Sequence, residues 1–102
     1  KKTQLEGGKI KVTPIFAYDK KLSFELFSIE LSPQCEHLSP SHKGGVIEHV
    51  VVIEGKMEVL VNKEWHKLKT GEGLRFSASS AHGYRNLSNK KAVFHNIIHY
   101  SK

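Results

Sequence analysis

Seven histidines fall within 102 residues: His37, His42, His49, His66, His82, His95 and His99. Neutral imidazole is the commonest protein ligand for metals, so such a density raises metal binding as a question. Placement narrows it. Glu48 lies inside Val46–Ile53, the most β-branched run of the chain. Side chains alternate along a strand, so Glu48 shares a face with Val46, Val50 and Val52. A carboxylate among valines must be paired, hydrogen-bonded or metal-bound, because an isolated buried charge is prohibitively costly. His42 stands in the loop before that strand, and His82 at the mouth of a later one. Two imidazoles and one carboxylate leave open positions on Zn²⁺, Ni²⁺, Fe²⁺ or Mn²⁺, as ligand-exchanging sites require. His42, Glu48 and His82 are therefore the candidate metal ligands.

The other histidines divide by strand face. His49 points away from Glu48 and is left out of the site. His95 and His99 share a face with Ile97, so His95 is a candidate fourth donor or ligand-binding residue. His37 and His66 read as loop or surface residues. Arg75 and Tyr84 complete the candidate ligand-binding set, with Arg85 nearby, since a guanidinium can clamp a carboxylate through two hydrogen bonds. No catalytic residue is assigned, because no complete catalytic set is present. Trp65 and Phe76 read as core or dimer-interface aromatics. Cys35 reads as an ordinary loop thiol: it has no second cysteine to pair with and no basic neighbour to activate it.

Strands must position these side chains. Apolar runs appear at Ile10–Phe16, interrupted by Pro14 as an edge strand allows, and at Leu22–Leu31. A loop follows over Ser32–Gly45. Val46–Ile53 is apolar enough that both of its faces are expected to be covered. Turns at Glu54-Gly55-Lys56, Asn62-Lys63, Thr70–Gly73 and Ser88-Asn89-Lys90 separate Met57–Val61, Glu64–Leu68, Leu74–Phe76, Tyr84–Asn86 and Ala92–Tyr100. Turns recurring about every 8–12 residues indicate an all-β sandwich or barrel. No stretch sustains the period of an amphipathic helix.

Composition sets the remaining bounds. A chain of 102 residues is the size of one domain, residues 1–102. Sixteen Lys and Arg against ten Asp and Glu give a net charge of +6. The basic residues are scattered over termini and turns, as on a solvated surface, and form no stripe for nucleic acid. No segment approaches the ~20 apolar residues of a membrane span. The single cysteine fits a reducing cytoplasm. The start at Lys1 suggests a piece of something longer.

Glu48-(x)6-Gly55 and Gly71-Glu72-Gly73 … His82-(x)3-Asn86 resemble the two motifs of the cupin family. The resemblance implies a jelly-roll barrel, with Glu48 as the first-motif glutamate, Gly55 as its turn glycine, His82 as the second-motif histidine and Asn86 as the closing asparagine. His42 takes the place of one first-motif histidine at an unusual spacing. Lys43 and Gly44 stand where the other is expected, and Ser77 and Ser79 replace the usual proline and glycine. Thr13–Phe16, Gly45–Ile53, Arg75-Phe76, Tyr84–Asn86 and Ile98–Tyr100 extend the likeness to regulators with an N-terminal XRE-class helix-turn-helix and a C-terminal cupin, among them regulators of sulfur utilisation. This implies a homodimeric sensor of a small-molecule effector, an amino acid or sulfur metabolite, that meets DNA only through an N-terminal helix-turn-helix. The alternative is a stand-alone metal-dependent cupin enzyme of the dioxygenase or isomerase type.

Overall fold

A computed structural model describes residues 2–42 and 44–101. Ten strands run in chain order: β1 Thr3–Leu5, β2 Ile10–Asp19, β3 Phe24–Leu31, β4 Cys35–Ser39, β5 Ile47–Glu54, β6 Lys56–Val61, β7 Glu64–Lys69, β8 Gly73–Ser77, β9 His82–Asn86 and β10 Ala92–His99. One 3₁₀ turn, Glu6–Gly8, joins β1 to β2. Two antiparallel sheets result, one ordered β1-β2-β3-β10-β5-β8 and the other β4-β9-β6-β7. This is the all-β architecture expected from the turn spacing, and the two facing sheets match the jelly roll that the cupin resemblance implies.

The turns explain the strand boundaries. Asn62 and Lys63 both have positive φ, 50° and 67°, the backbone twist that suits a two-residue hairpin between β6 and β7. Gly55, at φ 77°, turns β5 into β6 where a Cβ would lie 2.7 Å from the Lys91 carbonyl oxygen. Glycine is needed there for space as well as for φ. Asn86 braces the β9–β10 turn. Its Nδ2 donates to the carbonyls of Leu31 and Lys90, and its Oδ1 accepts from the Ser88 amide and hydroxyl.

The inward faces of the two sheets meet in one core. Leu31, Val59, Ala92 and Phe94 are fully buried there, joined by Ile10, Val50, Val52, Met57 and Phe76. Alternation carries this packing: along β10, Phe94 and Asn96 point inward while Val93, His95 and Ile97 face out.

Three expectations are corrected. The stretch expected to be loop over Ser32–Gly45 contains β4, which pairs with β9 and places Cys35 in the core on a strand. Burial pushes the Cys35 thiol above its ordinary value, so it stays protonated. Second, β5 is not buried on both faces: Glu48, Val50 and Val52 are enclosed, but Ile47, His49 and Val51 are only half-buried. Its neighbours are antiparallel, and such a sheet needs cover on one face only. Third, of the core and dimer-interface readings of Trp65, the core one is excluded. The side chain lies half-buried on the outer face of the smaller sheet, with the Arg85 guanidinium 3.9 Å from its ring centroid and Glu58 holding the same guanidinium at 2.7 Å. Pro14 sits as expected: β1 covers β2 only from Ile10 to Val12, so Pro14 meets β3 alone. Among the described residues no helix is long and apolar enough to cross a membrane.

Phe94→Ala is expected to lower the free energy of unfolding by about 3–5 kcal/mol, as for other buried aromatics. Leu22→Ala, at an exposed position, should change it by no more than about 0.5 kcal/mol. Urea titration followed by fluorescence measures both.

Candidate functional site

His42, Glu48 and His82 converge. One ligating atom from each lies within 4.8 Å of the others. Three local features bring this about. Glu48 is the second residue of β5 and points inward, flanked by Ile98 on β10 and Phe76 on β8. His82 opens β9 in the opposite sheet, in register with Ser39 on β4 and Val61 on β6. His42 arrives on the loop into β5, where its amide donates to the Ala78 carbonyl at 2.7 Å. The Ala78 amide in turn donates to the Val46 carbonyl at 2.9 Å, so the loops before β5 and β9 are tied together. The His42 and His82 rings stack with centroids 5.6 Å apart.

The carboxylate is held from both sides. Glu48 Oε2 lies 3.1 Å from His82 Nε2, and both residues are only 2% exposed. The Tyr84 hydroxyl donates to Glu48 Oε1, and Asn96 Nδ2 donates to the Tyr84 oxygen at 3.3 Å. Burial alone would raise the Glu48 carboxyl, but the hydrogen bonds from His82 and Tyr84 and the His82 charge outweigh it and hold Glu48 below its ordinary value. Burial likewise opposes the imidazolium of His82, yet the hydrogen bond and charge of Glu48 and the Ser80 carbonyl raise it. Burial, with the negative charge of Glu48, pushes Tyr84 well above its ordinary value, so it remains a neutral donor.

This donor set fits a divalent ion. His82 Nδ1 lies 3.1 Å from the Ser80 carbonyl oxygen, so Nδ1 carries the proton and Nε2 faces the cluster with a lone pair once deprotonated. The Tyr84 bond fixes one Glu48 oxygen and leaves the other toward His82. One carboxylate and two imidazoles suit the borderline metals named above and leave further positions open.

The cluster forms part of the lining of a cavity of about 190 Å³ between the two sheets. Its wall is mainly apolar, with Ile10, Phe27, Ile29 and Ile98 prominent, and Tyr84 and Asn96 are its inner polar groups. Of the candidate ligand-binding residues only Tyr84 reaches this space. Arg75 is exposed on the outer face of β8, where its Nε donates to His49 Nε2 at 2.8 Å. His95 is half-buried on the outer face of β10, between Ser28 on β3 and Val51 on β5. Strand alternation puts both on the side opposite to Glu48. His49 lies on that outer side too, as expected, and burial followed by the Arg75 charge lowers its pKa. His37, expected at the surface, instead lines the cavity from β4 and binds the Glu6 carboxylate at 2.8 Å. Its missed position follows from the missed strand. Asn96 was legible in principle, as a polar residue in phase with Phe94 on an apolar strand. Lys43, one of the two residues at the missing first-motif position, falls outside the described residues.

A family model described as the cupin domain matches residues 27–98. The chain belongs to the cupin family. The cupin is 45% identical over 91 residues to the HTH-type transcriptional regulator SutR of Escherichia coli (strain K12), an alignment covering 89% of this chain and 51% of SutR. It superposes with a TM-score of 0.90 on the cupin domain of an XRE family transcriptional regulator from Enterobacter cloacae, at 42% identity over 92% of this chain and 99% of that one. An HTH_3 family transcriptional regulator from Vibrio cholerae gives a TM-score of 0.89 at 37% identity, covering 93% of this chain and 53% of that one. The chain thus spans about half the length of SutR and of the Vibrio regulator.

Breaking the buried Glu48–His82 pair from one side is expected to cost the metal-free protein about 3–5 kcal/mol, because the remaining group is stranded. His82→Leu and Glu48→Leu should each show this loss in urea unfolding. The double variant should lose clearly less than the sum, giving a large coupling in the mutant cycle.

Proposed function

We propose that this cupin is the sensing domain of a cytoplasmic, homodimeric transcriptional regulator, and that it binds a small-molecule effector in the barrel beside a divalent ion held by His42, Glu48 and His82. The observation that carries the reading is the convergence of those three donors in the lining of a cavity walled mainly by apolar side chains. The similarity to SutR and to the Enterobacter and Vibrio regulators supports a role in transcription control. DNA would be contacted only by a helix-turn-helix segment N-terminal to this domain, and residues 1–102 would be its C-terminal ligand-binding half.

A bound ion of the zinc, nickel, iron or manganese type would supply Lewis-acid positions for an anionic group of the effector. The chain's own residues do the rest. Ser80 sets the tautomer of His82, Tyr84 orients Glu48, and the apolar wall keeps water from competing for the effector. An effector that binds one arrangement of the barrel better than another shifts the population toward it, by no more than that difference in affinity. Support for pairing comes from the outer face of the larger sheet, where Leu26, Ile47, Val51, Val93 and Ile97 are half-buried. An amino acid or sulfur metabolite is the effector class the family resemblance favours.

A second reading, a stand-alone metal-dependent enzyme of the dioxygenase or isomerase type, draws on the same open coordination positions. Fold alone does not choose between them. Against it stands the absence, among the described residues of the cavity, of an acid or base free of the Glu48 network other than the histidines at its mouth.

Elemental analysis of the untagged protein should find near-stoichiometric metal in wild type and in Arg75→Ala, whose side chain lies outside the barrel. His82→Ala should lose it. Metal retained by His82→Ala would place the ion elsewhere, and a protein that takes up no metal would leave the cavity as a purely organic-ligand site. Amino acids and sulfur compounds should raise the melting temperature of the wild-type protein. A panel without effect would count against the effector class.

A further inference from the structure

Among the described residues, Asn96 is the cavity-lining residue that carries a fully buried side-chain polar atom without a partner. It is 4% exposed, lines the cavity, and its Oδ1 has no partner, whereas its Nδ2 is committed to the Tyr84 oxygen. The polar atoms around it are already engaged: Tyr84 donates to Glu48 Oε1, and Glu48 Oε2 faces His82 Nε2. What this part of the lining still offers is therefore an acceptor, two hydrogen bonds away from Glu48. An amide oxygen left without a donor when a ligand displaces water from the cavity carries a desolvation penalty. A ligand that brings an N–H or O–H to it removes that penalty, and a ligand of the same shape without the donor does not.

Three constraints then act on one small molecule. A divalent ion held by His42, Glu48 and His82 would favour an anionic group, whereas the Glu48 carboxylate alone would repel one. Asn96 Oδ1 requires a donor only a few bonds from that group. The remaining wall, Ile10, Phe27, Ile29 and Ile98, takes an apolar remainder. The volume of about 190 Å³ corresponds to about six waters, which limits the molecule to a short chain.

We propose that Asn96 is the specificity-determining residue of this cavity, and that the cavity takes a short-chain carboxylate bearing a hydrogen-bond donor next to the acid, a 2-amino or 2-hydroxy acid. The assignment rests on the sensing role proposed above and narrows its effector. Asn96 selects by accepting the ligand's donor.

Isothermal titration calorimetry with three probes tests this on the zinc-equilibrated wild-type chain: L-2-aminobutyrate, L-2-hydroxybutyrate and butyrate. At least one donor-bearing acid should bind about tenfold or more tightly than butyrate. In Asn96→Leu that preference should collapse toward parity while butyrate binds as before. The two donor-bearing arms distinguish an amine from a hydroxyl. Asn96→Leu also removes the donor to Tyr84, so its melting temperature is read alongside to confirm folding, and Asn96→Val serves if leucine prevents folding. Butyrate binding as tightly as both donor acids in wild type, or a preference that survives Asn96→Leu, would overturn the role of Asn96 and leave the sensing reading in place. Silence from all three probes would overturn the assigned ligand class and leave the sensing reading in place.

Discussion

A carboxylate fixed inside a β-barrel is the constraint around which the interior is arranged. Glu48 sits on β5, between β10 and β8 of the larger sheet, so the strand cannot shift to release it without breaking pairings on both sides. Removing a carboxylate from water costs several kcal/mol unless partners replace the lost solvation. Two partners come from β9, in the facing sheet: His82 and Tyr84, two residues apart and therefore on one face. Asn96, on the neighbouring β10, then steadies Tyr84. The polar part of the cavity lining is thus a consequence of burying Glu48, and the apolar part is what remains of an ordinary core.

The same geometry separates the two faces of the larger sheet. Inward positions hold the Glu48 network and the cavity wall. Outward positions hold His49, His95, His99 and Arg75, and among these Arg75 donates to His49 while the His49 and His99 rings pack edge-on. Of the seven histidines, His42 and His82 therefore meet the buried carboxylate of Glu48, and strand phase keeps His49, His95 and His99 from it. His42 joins from a loop, held by the exchange of hydrogen bonds through Ala78.

Where the sequence was legible, period and turn chemistry made it so. Alternation within Val46–Ile53 placed Glu48 inward and His49 outward from the residue pattern alone. Asn62-Lys63, Gly55 and the Ser88–Lys90 turn marked strand ends because their backbone requirements are local. The failures had a different origin. β4 is short, half-exposed and bounded by Pro33 and Pro40, so neither apolar density nor alternation distinguished it from loop. Its loss hid His37 from the cavity and Cys35 from the core. Arg75 was assigned for its guanidinium and His95 for the face it shares with Ile97 and His99, although phase along β8 and β10 already opposed them: each is one residue from an inward neighbour, Phe76 and Asn96. Which atoms of Tyr84 and Asn96 meet Glu48 depends on cross-sheet register, which no local pattern encodes.

The account stands on one claim, that His42, Glu48 and His82 together form a metal site facing the cavity. The most direct measurement is an anomalous-difference map, collected at the zinc absorption edge from crystals grown with zinc. The account predicts a single strong peak within coordination distance of His42, of Glu48 and of Nε2 of His82, about 2.0–2.2 Å from each ligating atom. A peak among His49, His95 and His99 on the outer face, or no peak near Glu48 at full zinc occupancy elsewhere, would contradict it.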